Sequence, residues 1–529
     1  MPDEPRSISH DHLASAEKIS GLAFTTAERE LMLEDVNQRL ADYEKLRAIS
    51  IDNAVPPAVS FDPRVPGMKF DHVHRRSKFS RVKTPPVPSD LEDLAFLPVM
   101  QLARLIKARQ VTSLQLTEMY LNRLKRYDPV LKCVVTLTED LALRQAQRAD
   151  EEIAAGHYRG LLHGIPYGAK DLLAVRGYPT TWGATPYKDQ VIDLDATVID
   201  RLAAAGAVLI AKLTLGSLAW DDEWFGGQTK NPWNLNEGSS GSSAGPGAAT
   251  TAGLVGFSIG TETWGSIVSP STRCRVTGLR PTFGRVSRYG AMALSWSMDK
   301  IGPMCRSVED CAVVFDAIYG PDGQDLSVVD LPFNWDARID ATQLRVGYVK
   351  SAFDEERENQ ANDAQSLAVL QSLGFKLTPV ALPDLPIGAL SMILNVEAAA
   401  AFDELTRSNR DDLLERQVKD AWPNVLRQSR LIPAVEYIQA NRIRTLAMQA
   451  MAKLMNDIDV YVAPSFAGDN LLLTNLTGHP AVVVPNGVTE KGASSSVTFT
   501  GRLYGEAPTL AVAKAYQDAT DFHWRHPKM

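Results

Sequence analysis

The sequence predicts an α/β protein built around a largely internal sheet and preceded by a helical arm. Three observations predict it. From about Leu91 onward, stretches with helical spacing alternate with short apolar runs of strand length. Runs such as Val208-Leu209-Ile210-Ala211-Lys212 are too continuously apolar for a strand with one face in water. The composition is that of an ordinary globular chain: 529 residues, 45% hydrophobic, 22% charged and 7% aromatic. A chain of that length buries a large core without disulfide staples.

The elements follow in chain order. The first 50 residues read as helix. Thr25-Thr26-Ala27-Glu28 opens a stretch in which Leu31, Met32, Val36, Leu40, Tyr43 and Leu46 recur at helical spacing. Prolines at 56, 57, 63, 66, 85, 86 and 88 then forbid regular helix. Residues 64–83 hold seven Lys/Arg and one Asp, a local charge of 7 − 1 = +6. That stretch reads as a solvated arm lying on an acidic body, the alternative being a docking element for an acidic partner. Thr112-Ser113-Leu114-Gln115 forms a capping box for a helix to about Tyr127, and Asp140–Ala155 is helical. A short helix over 197–205 stops at Gly206 and leads into the 208–212 strand. Residues 244–260 are small and apolar. Strands are expected over 344–349, 375–380, 460–462 and 481–484, with helices over 362–373 and 429–457. Two parts result: an arm and proline-rich linker over 1–90, and a body over 91–529.

Composition also excludes function classes. The charge sum, 55 − 63 = −8, argues against nucleic-acid binding through global positive charge. Four cysteines without a CxxC pair give neither a disulfide framework nor a zinc site. The start, Met1-Pro2-Asp3-Glu4-Pro5, has no basic and apolar leader, and no run of about 18 apolar residues exists. A cytoplasmic protein that does not enter a membrane is the expectation. Only nine histidines are present, so a mechanism needing a histidine base has few candidates.

The densest chemical signal is the Gly/Ser-rich stretch from Glu237 to Ser271. Glycines among apolar segments make sense where backbone approaches a ligand closely or aims amides at an anion. Four chemistries compete for it and its surroundings. A phosphate loop at Gly164–Asp171 fails, because Lys170 is not preceded by Gly and no Ser/Thr follows it. A nucleophile elbow, Gly241-Ser242-Ser243-Ala244-Gly245, matches in letters but lacks a preceding strand. A metal at His72 and His74 lacks carboxylates at ligand spacing, so no metal and no cofactor are expected. The fourth is a serine nucleophile served by a lysine base. Lowering a free lysine by about three pH units needs roughly 4 kcal/mol of burial and electrostatic bias. Lys170, before the apolar Leu172-Leu173-Ala174-Val175, has a setting that could supply it; a surface ion pair with Asp171 is the plainer reading.

Three blocks carry a resemblance. They are His163-Gly164-Ile165-Pro166-Tyr167-Gly168-Ala169-Lys170-Asp171, the serine stretch Gly241–Ser266, and Thr277-Gly278-Leu279-Arg280-Pro281-Thr282-Phe283-Gly284-Arg285 followed by Asp299-Lys300-Ile301-Gly302-Pro303. The tail Asn475-Leu476-Thr477-Gly478-His479-Pro480-Ala481 fits as well, and the spacings 266 − 242 = 24 and 242 − 170 = 72 agree. Over about residues 95–519 the chain resembles the amidase signature hydrolases. The resemblance implies one α/β domain with a central mixed multi-stranded sheet covered by helices on both faces, plus the N-terminal helical extension.

It also implies roles. Ser266 would be the nucleophile, and Ser242, after a cis peptide bond, would bridge it to the base Lys170. Backbone amides of Thr263, Trp264, Gly265 and Ser266 would hold the oxyanion, and Trp220, Ser243 and Trp264 would contact substrate. The reaction implied is hydrolysis of a small-molecule carboxylic amide, ester or carbamate through an acyl-enzyme. Trp264 departs from the family's usual glycine, and Glu262 from its usual aspartate. Within the family the alternative is the glutaminase component of a tRNA-dependent amidotransferase. Against it, Ser465 and Asn475 are only 475 − 465 = 10 positions apart, too short a loop to place that component's glutamine-binding aspartate, and the 90-residue extension is foreign to it. A non-catalytic interaction protein is a further alternative. Residues 26–48 offer a face for a homodimer.

Overall fold

The computed structural model describes residues 7–529; the opening Met1–Pro5 stretch read for a targeting signal lies outside them. Fifteen strands occur among the described residues. They are β1 (Val134–Leu137), β2 (Pro166–Lys170), β3 (Val208–Leu213), β4 (Glu223–Trp224), β5 (Gly227–Gln228), β6 (Lys230–Asn231), β7 (Asn234–Gly238) and β8 (Phe257–Glu262). The rest are β9 (Thr277–Arg280), β10 (Lys300–Cys305), β11 (Val346–Val349), β12 (Leu377–Val380), β13 (Val460–Pro464), β14 (Ala481–Val488) and β15 (Ser494–Gly501). Eleven of them form one sheet in the order β1-β3-β2-β8-β10-β9-β14-β15-β13-β11-β12, while β4–β5 and β6–β7 are small separate ribbons.

The sheet is mixed: β2 runs parallel to both β3 and β8, whereas β8–β10 and β14–β15 are antiparallel. Every residue of β2, β3, β8, β9, β10 and β13 is buried. Since successive side chains point to opposite faces, both faces of the sheet are covered there. Val308–Ile318 and Glu506–Asp518 cover one face, where Gln517 donates to Thr277, and Val268–Cys274 with Ala244–Thr251 covers the other, where a Cβ on Gly278 would meet Ser271. The edge strands β1 and β12 keep exposed or half-exposed positions. The α/β body expected from the sequence is present.

Several boundaries differ. The expected 429–457 helix divides into Trp422–Ser429 and Ala434–Asp457, with Pro433 between them. The segment after Ser465, expected as loop, contains the helix Asn470–Leu476. β2, β8, β9 and β10 carry Gly, Ser, Thr, Pro or Lys among their apolar residues, so their alternation is masked; tight packing between neighbouring strands favours those small residues. The 26–48 helix, spanning Thr26–Arg47 with the capping box of Thr25 and Glu28, buries no residue at all. Leu31 is 81% exposed. Its partner is the helix His10–Ser20, through the Arg29–Glu17 pair at 2.8 Å.

The basic stretch and the residues just before it lie along the body. Phe61 meets Phe283 edge-on at 5.0 Å, and the Arg444 guanidinium stacks on Phe61 at 3.5 Å. Phe70 meets Tyr504, Lys78 pairs with Asp336 at 3.1 Å, and Ser77 donates to Asp316. Its charge is met partly within the arm, Arg75 with Asp71 and Arg64 with Asp62, and partly by the body.

Candidate active site

Two parallel neighbours, β2 and β8, end side by side, and their carboxyl ends carry the site. Lys170 is the last residue of β2 and is fully buried. Its Nζ lies 2.8 Å from Ser242 Oγ, 2.9 Å from Thr261 Oγ1 and 3.1 Å from Ser243 Oγ. No carboxylate lies within ion-pair distance of it among the described residues. Burial therefore pushes the lysine well below its ordinary value, with Asp299 and Glu262 countering part of that from a distance. The ion pair with Asp171 is not formed. Asp171 turns away to Lys212 at 2.7 Å, a fully buried pair, and accepts the Thr181 N–H at 2.9 Å.

The serine loop crosses above this lysine. The Gly241–Ser242 peptide bond is cis, as the resemblance implied. A Cβ on Gly241 would lie 1.7 Å from the Asp221 carbonyl oxygen, so only glycine allows the two backbones to meet. Ser243 sits a layer deeper than expected of a substrate contact. It is fully buried, donates to the Thr261 carbonyl at 3.1 Å, and accepts from the Thr261 N–H at 3.1 Å as well as from Lys170. With its one proton committed, Ser243 ties the loop to β8 from behind.

Ser266 follows the end of β8. Its carbonyl accepts the Ser243 N–H at 3.2 Å, which brings it beside the loop. Its hydroxyl is 8% exposed as a residue and has no hydrogen-bond partner among the described residues. The structure thus joins Lys170 to Ser242 directly and leaves the Ser266 hydroxyl free. No backbone N–H from Thr263 to Ser266 donates to a protein acceptor among the described residues. Gly265 holds the turn at φ +87°, where a Cβ would press on Ser269 and Leu471. Helices begin just after both serines, at Ala244 and at Val268, and add the positive ends of their dipoles.

A buried carboxylate fixes this turn. Glu262 Oε2 accepts the N–H groups of Ile267 and Val268 at 2.8 and 2.9 Å. Its Oε1 accepts from Arg280 and from Asn475, both at 2.8 Å. Burial would raise its carboxyl, but Arg280 and these bonds hold it at about 2. Glu262 thus fills the place of the family's usual aspartate as an ionised brace. Thr263 Oγ1 donates to Asp299 at 2.6 Å. Sequence reasoning missed Thr261, which stands in no recognisable pattern, and it noted Asp299 and Asn475 only as members of longer blocks.

Of the tryptophans, Trp264 is 46% exposed rather than packed inside. Trp220 is half-buried with its ring edge-on to Trp422 at 4.7 Å, and Trp224 is buried against Phe225. His479 is buried and pushed down to about 3 by desolvation, and it bonds Thr477 rather than any serine of the site. All four cysteines are free and buried.

A hydroxyl bonded to a buried amine whose proton affinity is lowered, beside a second free hydroxyl and a row of unused amides, can pass a proton and hold an oxyanion. The comparisons agree with that chemistry. The family model named Amidase matches residues 115–510. Putative amidase AmiD of Mycobacterium tuberculosis (strain ATCC 25618 / H37Rv) is 34% identical over 475 residues, which is 83% of this chain and 98% of that protein. A glutamyl-tRNA(Gln) amidotransferase subunit of Roseiflexus sp. (strain RS-1) is 34% identical over 467 residues, 79% of this chain and 96% of that protein. The structure of native peptide amidase from Stenotrophomonas maltophilia superposes with a TM-score of 0.72 at 29% identity, covering 81% of this chain and 97% of that one. By fold, motif and overall similarity, the chain belongs to the amidase signature family of amide-hydrolysing enzymes.

Proposed function

We propose that the protein is a stand-alone amidase that hydrolyses a small carboxylic amide through an acyl-enzyme on Ser266. The observation that carries this is a fully buried lysine with hydroxyls, and no carboxylate, around its amine. Neutral Lys170 takes the Ser242 proton while Ser242 takes that of Ser266. Ser266 Oγ bonds to the substrate carbonyl carbon, and the C=O π pair moves to oxygen. The amides of Thr263, Trp264, Gly265 and Ser266 hold that oxyanion; losing one such donor typically costs about 3 kcal/mol. The C–N bond then breaks, and the departing amine takes the relayed proton from Ser242. Lys170 returns its proton to Ser242 in that step. Water then attacks the ester carbonyl and gives a proton to the same relay. The C–O bond to Ser266 breaks as Ser266 Oγ takes that proton back, and the released acid loses its remaining proton to solvent, leaving Lys170 neutral.

Trp264, exposed at the turn, and Trp220 are the proposed substrate contacts, while Ser243 serves from behind. Residues 1–90 are the arm and 91–529 the catalytic domain, a division supported by the absence of main-sheet strands before Val134 among the described residues and by the family match starting at 115. The exposed Thr26–Arg47 helix supports a homodimer contact, and a cytoplasmic setting completes the reading. No helix among the described residues is long and apolar enough to cross a membrane.

A fluorophosphonate probe followed by peptide mapping tests the assignment, with a panel of amide, ester and carbamate substrates beside it. Labelling on Ser266 with amide turnover is expected. Labelling on another serine, or none with turnover retained in Ser266→Ala, overturns it.

A further inference from the structure

We propose that residues 410–422, outside all the sequence motifs, form a strap that positions the catalytic groups, with Trp422 and Arg416 acting on the serine loop through the turn at 218–222. The proposal rests on the roles given above to Lys170 and Ser242.

The turn lies directly against the serine loop. Asp221's carbonyl occupies the space a Gly241 side chain would need. The Asp222 carboxylate accepts the Ser240 N–H at 2.8 Å. The two residues before Ser242 are therefore set by residues 221 and 222. That turn is strained, although Ala219 N–H donates to the Gly216 carbonyl and Leu218 N–H to the Trp182 carbonyl. Leu218, Ala219 and Asp221 sit at φ 49°, 61° and 60°, the left-handed region that side-chain-bearing residues avoid.

The strap holds it from outside. The Trp422 indole N–H donates to the Leu218 carbonyl at 2.9 Å, and its ring stands edge-on to Trp220 at an interplanar angle of 88°. Arg416 pairs with Asp221 at 2.9 Å and approaches Glu223 at 3.5 Å. Trp422 is buried and begins the helix Trp422–Ser429, so its indole is fixed at its base.

The same segment grips the turn behind the lysine. Glu415 accepts the Thr185 N–H at 2.7 Å, and Arg410 donates to the Pro186 carbonyl at 2.8 Å. Four residues before it on the same loop is Thr181, whose carbonyl accepts the Ala184 N–H at 3.1 Å and whose own N–H holds the Asp171 carboxylate next to Lys170. One short stretch thus braces both halves of the Lys170–Ser242 pair.

The test uses the full-length enzyme with an aryl amide and a fluorophosphonate. Arg416→Gln, Asp221→Asn and the double variant remove a half-exposed ion pair of small stability value, and Asn tolerates the left-handed backbone. Trp422→Phe removes the indole N–H and keeps a ring. Each single change is expected to lower kcat about tenfold or more, as a shift of about 1 Å at the reacting groups does. KM and the thermal midpoint stay near wild type, and the double variant loses no more than either single one. Wild-type kcat in all the variants, a change confined to KM, or additive losses in the double variant overturns the strap. If Trp422→Phe does not fold, the Arg416 and Asp221 variants decide alone. Wild-type protein that is not labelled at Ser266 overturns the site assignment itself, whereas labelled wild type with equally labelled variants overturns only the strap.

Discussion

Replacing Lys170 with methionine tests the base and its environment together. Methionine keeps much of the length and loses the amine. Three hydroxyls, those of Ser242, Ser243 and Thr261, lose a hydrogen-bond partner. At a net value of about 1 kcal/mol per bond, the variant gives up about 3 kcal/mol. The opposing effect comes from protonation. Burial keeps the folded lysine well below the 10.5 of the free side chain. Between those two values the unfolded chain carries a proton that the folded chain lacks. Wild-type stability therefore rises with pH across that window, by about 1.4 kcal/mol per pH unit for one proton. Lys170→Met removes this slope, since the variant binds no proton at that position in either state. Urea unfolding of both proteins at several pH values below 10.5 should show wild type gaining on the variant as pH rises toward that value. Turnover should drop by about 10²- to 10⁴-fold, the usual contribution of a general base, with fluorophosphonate labelling of Ser266 falling in parallel. A variant that keeps more than about a tenth of wild-type turnover would refute the assigned role. An identical pH slope in the two proteins would refute the neutral, buried lysine.

Three further outcomes are expected. Glu262 sits at about 2 against 4.5 when free, so it contributes about 3 kcal/mol that is present above pH 4.5 and lost as pH falls from there through 2. Glu262→Gln should flatten the acid limb of the stability curve and cost about 3–5 kcal/mol near neutrality, because Arg280 is left buried without its partner; an unchanged urea midpoint counts against the brace. Gly265→Ala places a Cβ at φ +87° and 3.1 Å from Ser269 Oγ, at a cost of about 1–2 kcal/mol, and should lower kcat more than it raises KM in steady-state kinetics. Removing residues 1–50 should leave the thermal midpoint within about 2 °C, whereas removing 1–85 also takes away Phe61, Phe70, Ser77 and Ser80 and should lower it clearly; equal behaviour of the two truncations, followed by calorimetry, would contradict the packing seen.

Legibility varied along the chain for identifiable reasons. The helix start at Thr25 and the capping box at Thr112/Gln115 stand where the sequence places them, because capping acts over three residues. Val208–Leu213 was readable because a continuous apolar run of that length suits a strand covered on both faces. By contrast, β2 and β8 carry the site yet contain Gly, Lys, Ser, Thr and Glu, so neither announces itself as a strand. The Thr26–Arg47 pattern gave the helix but not its neighbours, since periodicity reports a stripe and not what covers it.

The sequence alone determined the chemical inventory: a lysine, two serines and a glycine-rich backbone in fixed order, with only nine histidines as other candidates for a base. Tertiary structure decided the pairings. It gave Lys170 to Ser242, Ser243 and Thr261 instead of to Asp171, and set Ser243 behind the site. It also joined Glu262 to Asn475, 213 positions away, and Trp422 to Leu218, 204 positions away. Motif spacing is set by local backbone geometry and so survives in the sequence. Which distant groups meet depends on the order in which the strands lie in the sheet, and a buried polar atom takes whichever partner that order brings within about 3 Å.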